Sequence, residues 1–177
     1  MAAGATQKIA SLPALRAFRN RDFRYLWSGA VVSFTGSQIQ ALAQGFLVYK
    51  ITGDEALLAF VLFANMIPVS MLGPVLGVFA DVMDRRRVLV ASMVVMSFGS
   101  AFLGFAAHYG FLEYWHIVAA AVLNGLVMTV ETPARQSIVR EVVPTEDLAA
   151  AVPTMAMTFN IARVAGPAIG GLLAASV

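Results

Sequence analysis

The sequence predicts an all-α integral membrane protein built from five spanning helices. Composition is the first observation: 59% of the 177 residues are hydrophobic and only 12% are charged, against about 25% charged in an average soluble domain. Too little polar side chain remains to cover a water-soluble globule. The second observation is spacing. Charges punctuate the chain at intervals that match the roughly 20 apolar residues a spanning helix needs. A β-barrel is excluded, because its strands alternate apolar and polar residues over about ten positions.

The N-terminal segment, residues 1–24, carries Lys8, Arg16, Arg19, Arg21 and Arg24. Its basic residues run on past the length of a signal-peptide n-region and no small-residue cleavage site follows a short apolar core, so a cleavable leader is not expected. Ser11 to Phe23 mixes Leu12, Leu15, Phe18 and Phe23 with arginines, which predicts either a short helix lying on the membrane surface or a solvated basic tail.

The spans follow in order, at about 25–49, 56–80, 88–112, 114–134 and 148–177. The first three are free of formal charge, and the last is broken only by Arg163. Short polar links between them suit an antiparallel bundle. Ten basic residues fall on the side that holds the N-terminus, Arg85–Arg87, Arg135 and Arg140, against Lys50 alone opposite. By the positive-inside rule the N-terminus is expected in the cytoplasm of a multi-pass cell-membrane protein. Five spans then put the C-terminus outside, and the apolar ending Leu-Leu-Ala-Ala-Ser-Val reads as a fragment that stops before a sixth helix.

A short repeat supports that expectation. Gly73-Pro-Val-Leu-Gly77 in the second span and Gly166-Pro-Ala-Ile-Gly170 in the fifth share the pattern G-P-x-x-G, 93 residues apart. The two copies fall on opposite membrane faces, as an inverted 3+3 repeat requires. Chance is the competing reading, since Gly and Pro are common in membrane helices.

Several polar residues sit where lipid would penalise them. Ser33, Ser37, Gln40 and Gln44 fall on one face of the first span, because spacings of four, three and four share a helical face. Such a stripe lines a water-filled path or bonds neighbouring helices. Asn65 and Asn124, near the middle of the second and fourth spans, face the same path or act singly as packing glue. Arg163 lies about 15 residues into the fifth span, roughly 22 Å of helix rise, with Asn160 three residues before it on the same face. It either binds an anionic or polar substrate or caps backbone carbonyls. Glu131 and Arg135, four apart, are placed for an intrahelical ion pair; alternatively, Glu131 carries a proton or reaches the arginine cluster. Gly166, Pro167, Gly170 and Gly171 form a small-residue stretch suited to close helix packing.

Other function classes find no support. There are no cysteines, hence no disulfide framework or thiolate metal site. His108 and His116 lack metal-ligand spacing, and no hydrolase, protease or phosphate-loop motif occurs. No metal, cofactor or enzymatic activity is expected. The net charge of +2 is too sparse for a nucleic-acid face.

The stretch Gly77-Val-Phe-Ala-Asp81-Val-Met-Asp84-Arg85-Arg86-Arg87 resembles the signature loop of the major facilitator superfamily: a Gly, an Asp four residues on, then a basic pair. It departs at Val82, often Arg in the family, and at Asp84, often Gly. Asn160 to Gly171 looks like the fifth-helix antiporter motif of that superfamily's exporters. Glu131-Thr-Pro-Ala-Arg-Gln-Ser-Ile-Val-Arg140 with Val-Pro-Thr-Glu-Asp-Leu148 is similar to the branch that includes the enterobactin exporter and macrolide efflux proteins. The resemblance implies a twelve-helix bundle of two six-helix halves with alternating access, of which this chain supplies the first five helices. It implies proton-coupled efflux of small amphiphilic or siderophore-like molecules, with Asp81 contacting the absent C-terminal helices to gate the inner face. A five-helix interaction module without transport is the alternative from another class.

Overall fold

The computed structural model describes residues 17–175, with the side chains of 74, 77–82 and 173–175 outside the described set. Five long helices make up that stretch: α1 (Arg21–Thr52), α2 (Glu55–Val82), α3 (Arg85–His108), α4 (Tyr114–Val142) and α5 (Leu148–Ala175), with short 3-10 turns at Ala17–Arg19 and Thr145–Asp147. Four of the helices are long and apolar enough to cross a membrane. The exception is α1. It has ample length at 32 residues, but Ser33, Ser37, Gln38, Gln40 and Gln44 dilute its apolar run, so the fifth span rests on length and on the absence of charge between Tyr25 and Tyr49.

Each boundary has a local cause. Asn20 caps α1, its side-chain oxygen accepting from the Asp22 N–H at 2.9 Å, while its amide donates to the Val142 carbonyl at 2.6 Å. Gly53, at φ 63°, ends α1 in the left-handed conformation that only glycine adopts readily. Asp54 then caps α2 through the Ala56 N–H at 2.7 Å. Gly110, at φ 76°, ends α3 in the same way, with the Phe111 N–H bonded back to the Ala106 carbonyl at 3.1 Å. Nδ1 of His116 reaches back to accept the Glu113 N–H at the start of α4. Helix α4 runs on past 134 to Val142, where Pro144 prevents its continuation.

Two compact units emerge. One joins the described chain up to Ile39 with that from Gln136 onward; the other is Gln40–Arg135. The first is centred on Ala17, Phe23, Val139, Val143, Ala150 and Ala151, with Phe18 and Trp27 packed against them. Phe23 is fully buried there, so the end of the basic segment turns inward rather than lying as a surface helix; residues 11–16 of that expectation fall outside the described residues. The second unit is centred on Val48, Val61, Leu103, Ile117 and Ala121. Most other large apolar side chains, such as Phe63, Phe98, Ile161 and Leu172, are exposed, the distribution expected of helices whose solvent is lipid.

Candidate functional site

In the unit of Gln40–Arg135 the polar side chains gather between helices. Gln40 Oε1 accepts from Ser100 Oγ of α3 at 2.7 Å, an interhelical bond of the kind that apolar surroundings favour. One turn further on, Gln44 is only 7% exposed. Among the described residues its Nε2 is buried without a hydrogen-bond partner. Leaving a buried donor unsatisfied costs about 1–3 kcal/mol, so this amide stands out from its surroundings. Asn124 is buried in the same unit.

Asn65 serves packing. Its amide donates to the Ala121 carbonyl of α4 at 3.1 Å, and its own backbone lies so close to Gly125 that a Cβ there would collide with the Asn65 carbonyl oxygen. Gly125 was not among the sequence candidates, although the small residues Ala121, Gly125 and Thr129 recur every four positions along that face of α4. Thr129, also buried, returns its hydroxyl to the Gly125 carbonyl at 2.8 Å.

Glu131 and Arg135 form their intrahelical ion pair, with side chains 17% and 7% exposed. Pro133 lies between them inside α4. It has no N–H for the carbonyl of Thr129, so the helical ladder is broken beside the pair.

In the other unit, Ser37 donates its hydroxyl to the Ser33 carbonyl at 2.9 Å and so satisfies itself within α1. Along α5 the small residues Thr158, Ala162, Gly166 and Gly170 are buried at every fourth position. Gly166 is pressed against Gln38 of α1, where a Cβ would overlap the glutamine Cβ; Gln38 is a second residue absent from the sequence candidates. Pro167 is half-buried beside it. A Cβ at Gly171 would meet nothing within 4 Å among the described residues, so Gly171 takes no part in the close packing seen at Gly166. Asn160 and Arg163 lie off the buried stripe and are exposed; the Asn160 amide donates to the Ala156 carbonyl at 3.0 Å.

At the turn between α2 and α3, Asp84 caps α3. Its carboxylate accepts from the Arg86 and Arg87 N–H groups at 3.0 and 3.3 Å and meets Arg87 Nε at 3.4 Å. Asp84 therefore starts a helix where the resemblance would have had a glycine. Arg85 and Arg86 follow it in the first turn. Gly77 and Asp81 fall in the last turns of α2, and their side chains lie outside the described residues.

Long apolar helices, a glutamine buried among them and a basic turn between the second and third helices are features of a multi-pass membrane protein. The chain matches the model of the transmembrane secretion effector family over residues 12–177; it belongs to that family, within the major facilitator transporters. It is thus a multi-pass membrane protein of a transporter family rather than of an enzyme family. It is 24% identical over 151 residues to macrolide efflux protein A of Streptococcus pyogenes, covering 85% of this chain and 37% of that protein. It is 27% identical over 153 residues to the staphyloferrin A transporter of Staphylococcus aureus, with 86% and 38% covered. An uncharacterised MFS-type transporter of Bacillus subtilis is 25% identical over 161 residues, with 90% and 37% covered. The chain thus spans well under half the length of these relatives. No solved structure matches it.

Proposed function

We propose that this chain forms the first five membrane helices of a proton-coupled exporter of small amphiphilic molecules, working by alternating access with further helices of the same protein. The observation that carries the reading is Gln44, a buried amide on α1 whose Nε2 has no partner among the described residues. In an alternating-access cycle such a donor finds its acceptor on the substrate or in the other state. Its cost in one state then becomes part of the driving force for leaving it.

In this reading Gln40, Gln44 and Asn124 face the substrate from one unit. Separately, Arg163 and Asn160 offer α5 a polar face for an anionic or polar group. Ser33 and Ser37 continue the polar side of α1. Asp81, with Arg85 and Arg86, forms a charge lattice at the inner end of α2 that breaks and remakes as the halves rock. Relatives named for macrolide efflux and for staphyloferrin A transport support a small organic substrate, and the excess of basic residues supports a cytoplasmic N-terminus.

The test is accumulation of a macrolide antibiotic in cells expressing the protein from its native reading frame, with and without an uncoupler. Expressing cells should retain less drug, the difference should vanish on uncoupling, and Asp81→Asn should abolish it at normal membrane abundance. Equal accumulation in expressing and control cells would favour the module without transport. Full activity of Asp81→Asn would remove the gating assignment alone.

A further inference from the structure

We propose that the cleft at the start of α1 binds the phosphate headgroup of an anionic lipid. The cleft has a volume of about 490 Å³ and is lined by Phe18, Arg21, Arg24, Tyr25, Trp27 and Ser28. Two parts of its lining have side-chain partners. The Arg21 guanidinium lies 5.6 Å over the Tyr25 ring, and its Nε and a terminal nitrogen donate to the Tyr25 hydroxyl at 3.3 and 3.2 Å. Trp27 meets Phe18 edge-on at 5.0 Å, and its indole N–H donates to Thr158 Oγ1 at 2.8 Å. Arg24 supplies the second cation.

Neither arginine pairs with a carboxylate among the described residues. The first 21 residues contain no acid at all. Asp22 is exposed and does not line it. An anion is therefore the complementary ligand, and the planar fork of arginine matches the oxygens of a phosphate.

Position selects a lipid as the source of that phosphate. The charge-free run of α1 begins at Tyr25, so the cleft sits where the apolar helix meets water. Tyr and Trp favour that level of a bilayer. A headgroup seated between Arg21 and Arg24 leaves its acyl chains free to run along the exposed apolar side of α1, as at Val32. The proposal rests on the reading of α1 as a membrane helix and is independent of transport direction.

With Trp115 and every tryptophan of the full-length protein other than Trp27 replaced by Phe, the Trp27 fluorescence of the intact protein in maltoside micelles reports on the cleft. The signal is titrated with dihexanoylphosphatidylglycerol, dihexanoylphosphatidylcholine and inorganic phosphate. Phosphatidylglycerol should give a saturable change, and Arg21→Gln with Arg24→Gln should weaken it roughly tenfold or more, at about 1 kcal/mol per basic residue. Lys50→Gln with Arg140→Gln removes the same charge at exposed positions elsewhere and should leave the affinity unchanged. Equal weakening by both pairs, or an equal response to phosphatidylcholine, would overturn the proposal as unspecific attraction. Phosphate binding as tightly as the lipid would replace it with a soluble-anion site. The assay needs no transport, so failure of the export reading leaves it intact and its failure leaves the export reading intact.

Discussion

Gly125 of α4 lies directly against the backbone of Asn65 of α2, whose carbonyl oxygen occupies the place a Cβ would take. The Asn65 amide closes the same contact one turn away, on the Ala121 carbonyl. Because the obstacle is backbone rather than the end of a flexible side chain, α2 and α4 must separate to admit even a methyl group. Gly125→Ala should therefore lower stability by at least the ~1–3 kcal/mol typical of overpacking, read as a fall in thermal unfolding midpoint in detergent. Gly171→Ala, which meets open space among the described residues, is the control and should melt with the parent. Equal midpoints for the two variants would mean that the helices are not in this contact.

Gln44 gives a prediction with two opposed signs. Replacing it with Met keeps the volume and removes the unsatisfied donor, so Gln44→Met should raise stability by about 1–3 kcal/mol. Export should fall in the same variant if the amide meets substrate. Melting and efflux measured together separate the possibilities. Lower stability would reveal a partner for the amide, and unchanged export would take Gln44 out of the path.

Asp84 is predicted to act mainly as a helix cap. Asp84→Ala should cost about 1 kcal/mol by exposing the first N–H groups of α3, and Asp84→Asn should retain most of that stability. Its pairing with Arg87 adds little, because both side chains are largely exposed, at 55% and 88%. Arg87→Ala should accordingly melt close to the parent. A large loss in Arg87→Ala would shift weight from the cap to the ion pair.

The helices were legible in the sequence because lipid forbids charge: a run without Asp, Glu, Lys or Arg long enough to span is already a helix. The motif residues Asp84 and Gly166 were legible as motif positions, though their local work was not. The capping bonds of Asp84 need the φ/ψ of Met83–Asp84, and the pressure on Gly166 needs the register of α5 against Gln38. Gly125 and Gln38 escaped for the same reason. A close approach belongs to two helices at once, and periodicity within either one describes only half of it. The end of the basic segment was read as a surface element because its leucines and phenylalanines alternate with arginines; the burial of Phe23 against Val139, Val143, Ala150 and Ala151 depends on partners more than 100 residues away.

The Glu131–Arg135 pair tests whether a buried charge pair serves the fold or the cycle. Both side chains are mostly buried, and removing one partner strands the other, which costs about 3–5 kcal/mol for buried pairs. Arg135→Met alone should therefore be strongly destabilising and reduce membrane abundance. Glu131→Gln with Arg135→Met removes both charges and should recover most of that stability, since apolar or neutral replacements of whole buried pairs are often tolerated. The broken ladder at Pro133 makes this turn of α4 the softer part of the helix, which gives a change of charge at Glu131 something to move. If Glu131 carries the coupled proton, the double variant will fold and reach the membrane, yet its cells will accumulate drug like control cells, with or without an uncoupler. If the double variant restores both abundance and uncoupler-sensitive efflux, the pair holds α4 together and the proton travels elsewhere.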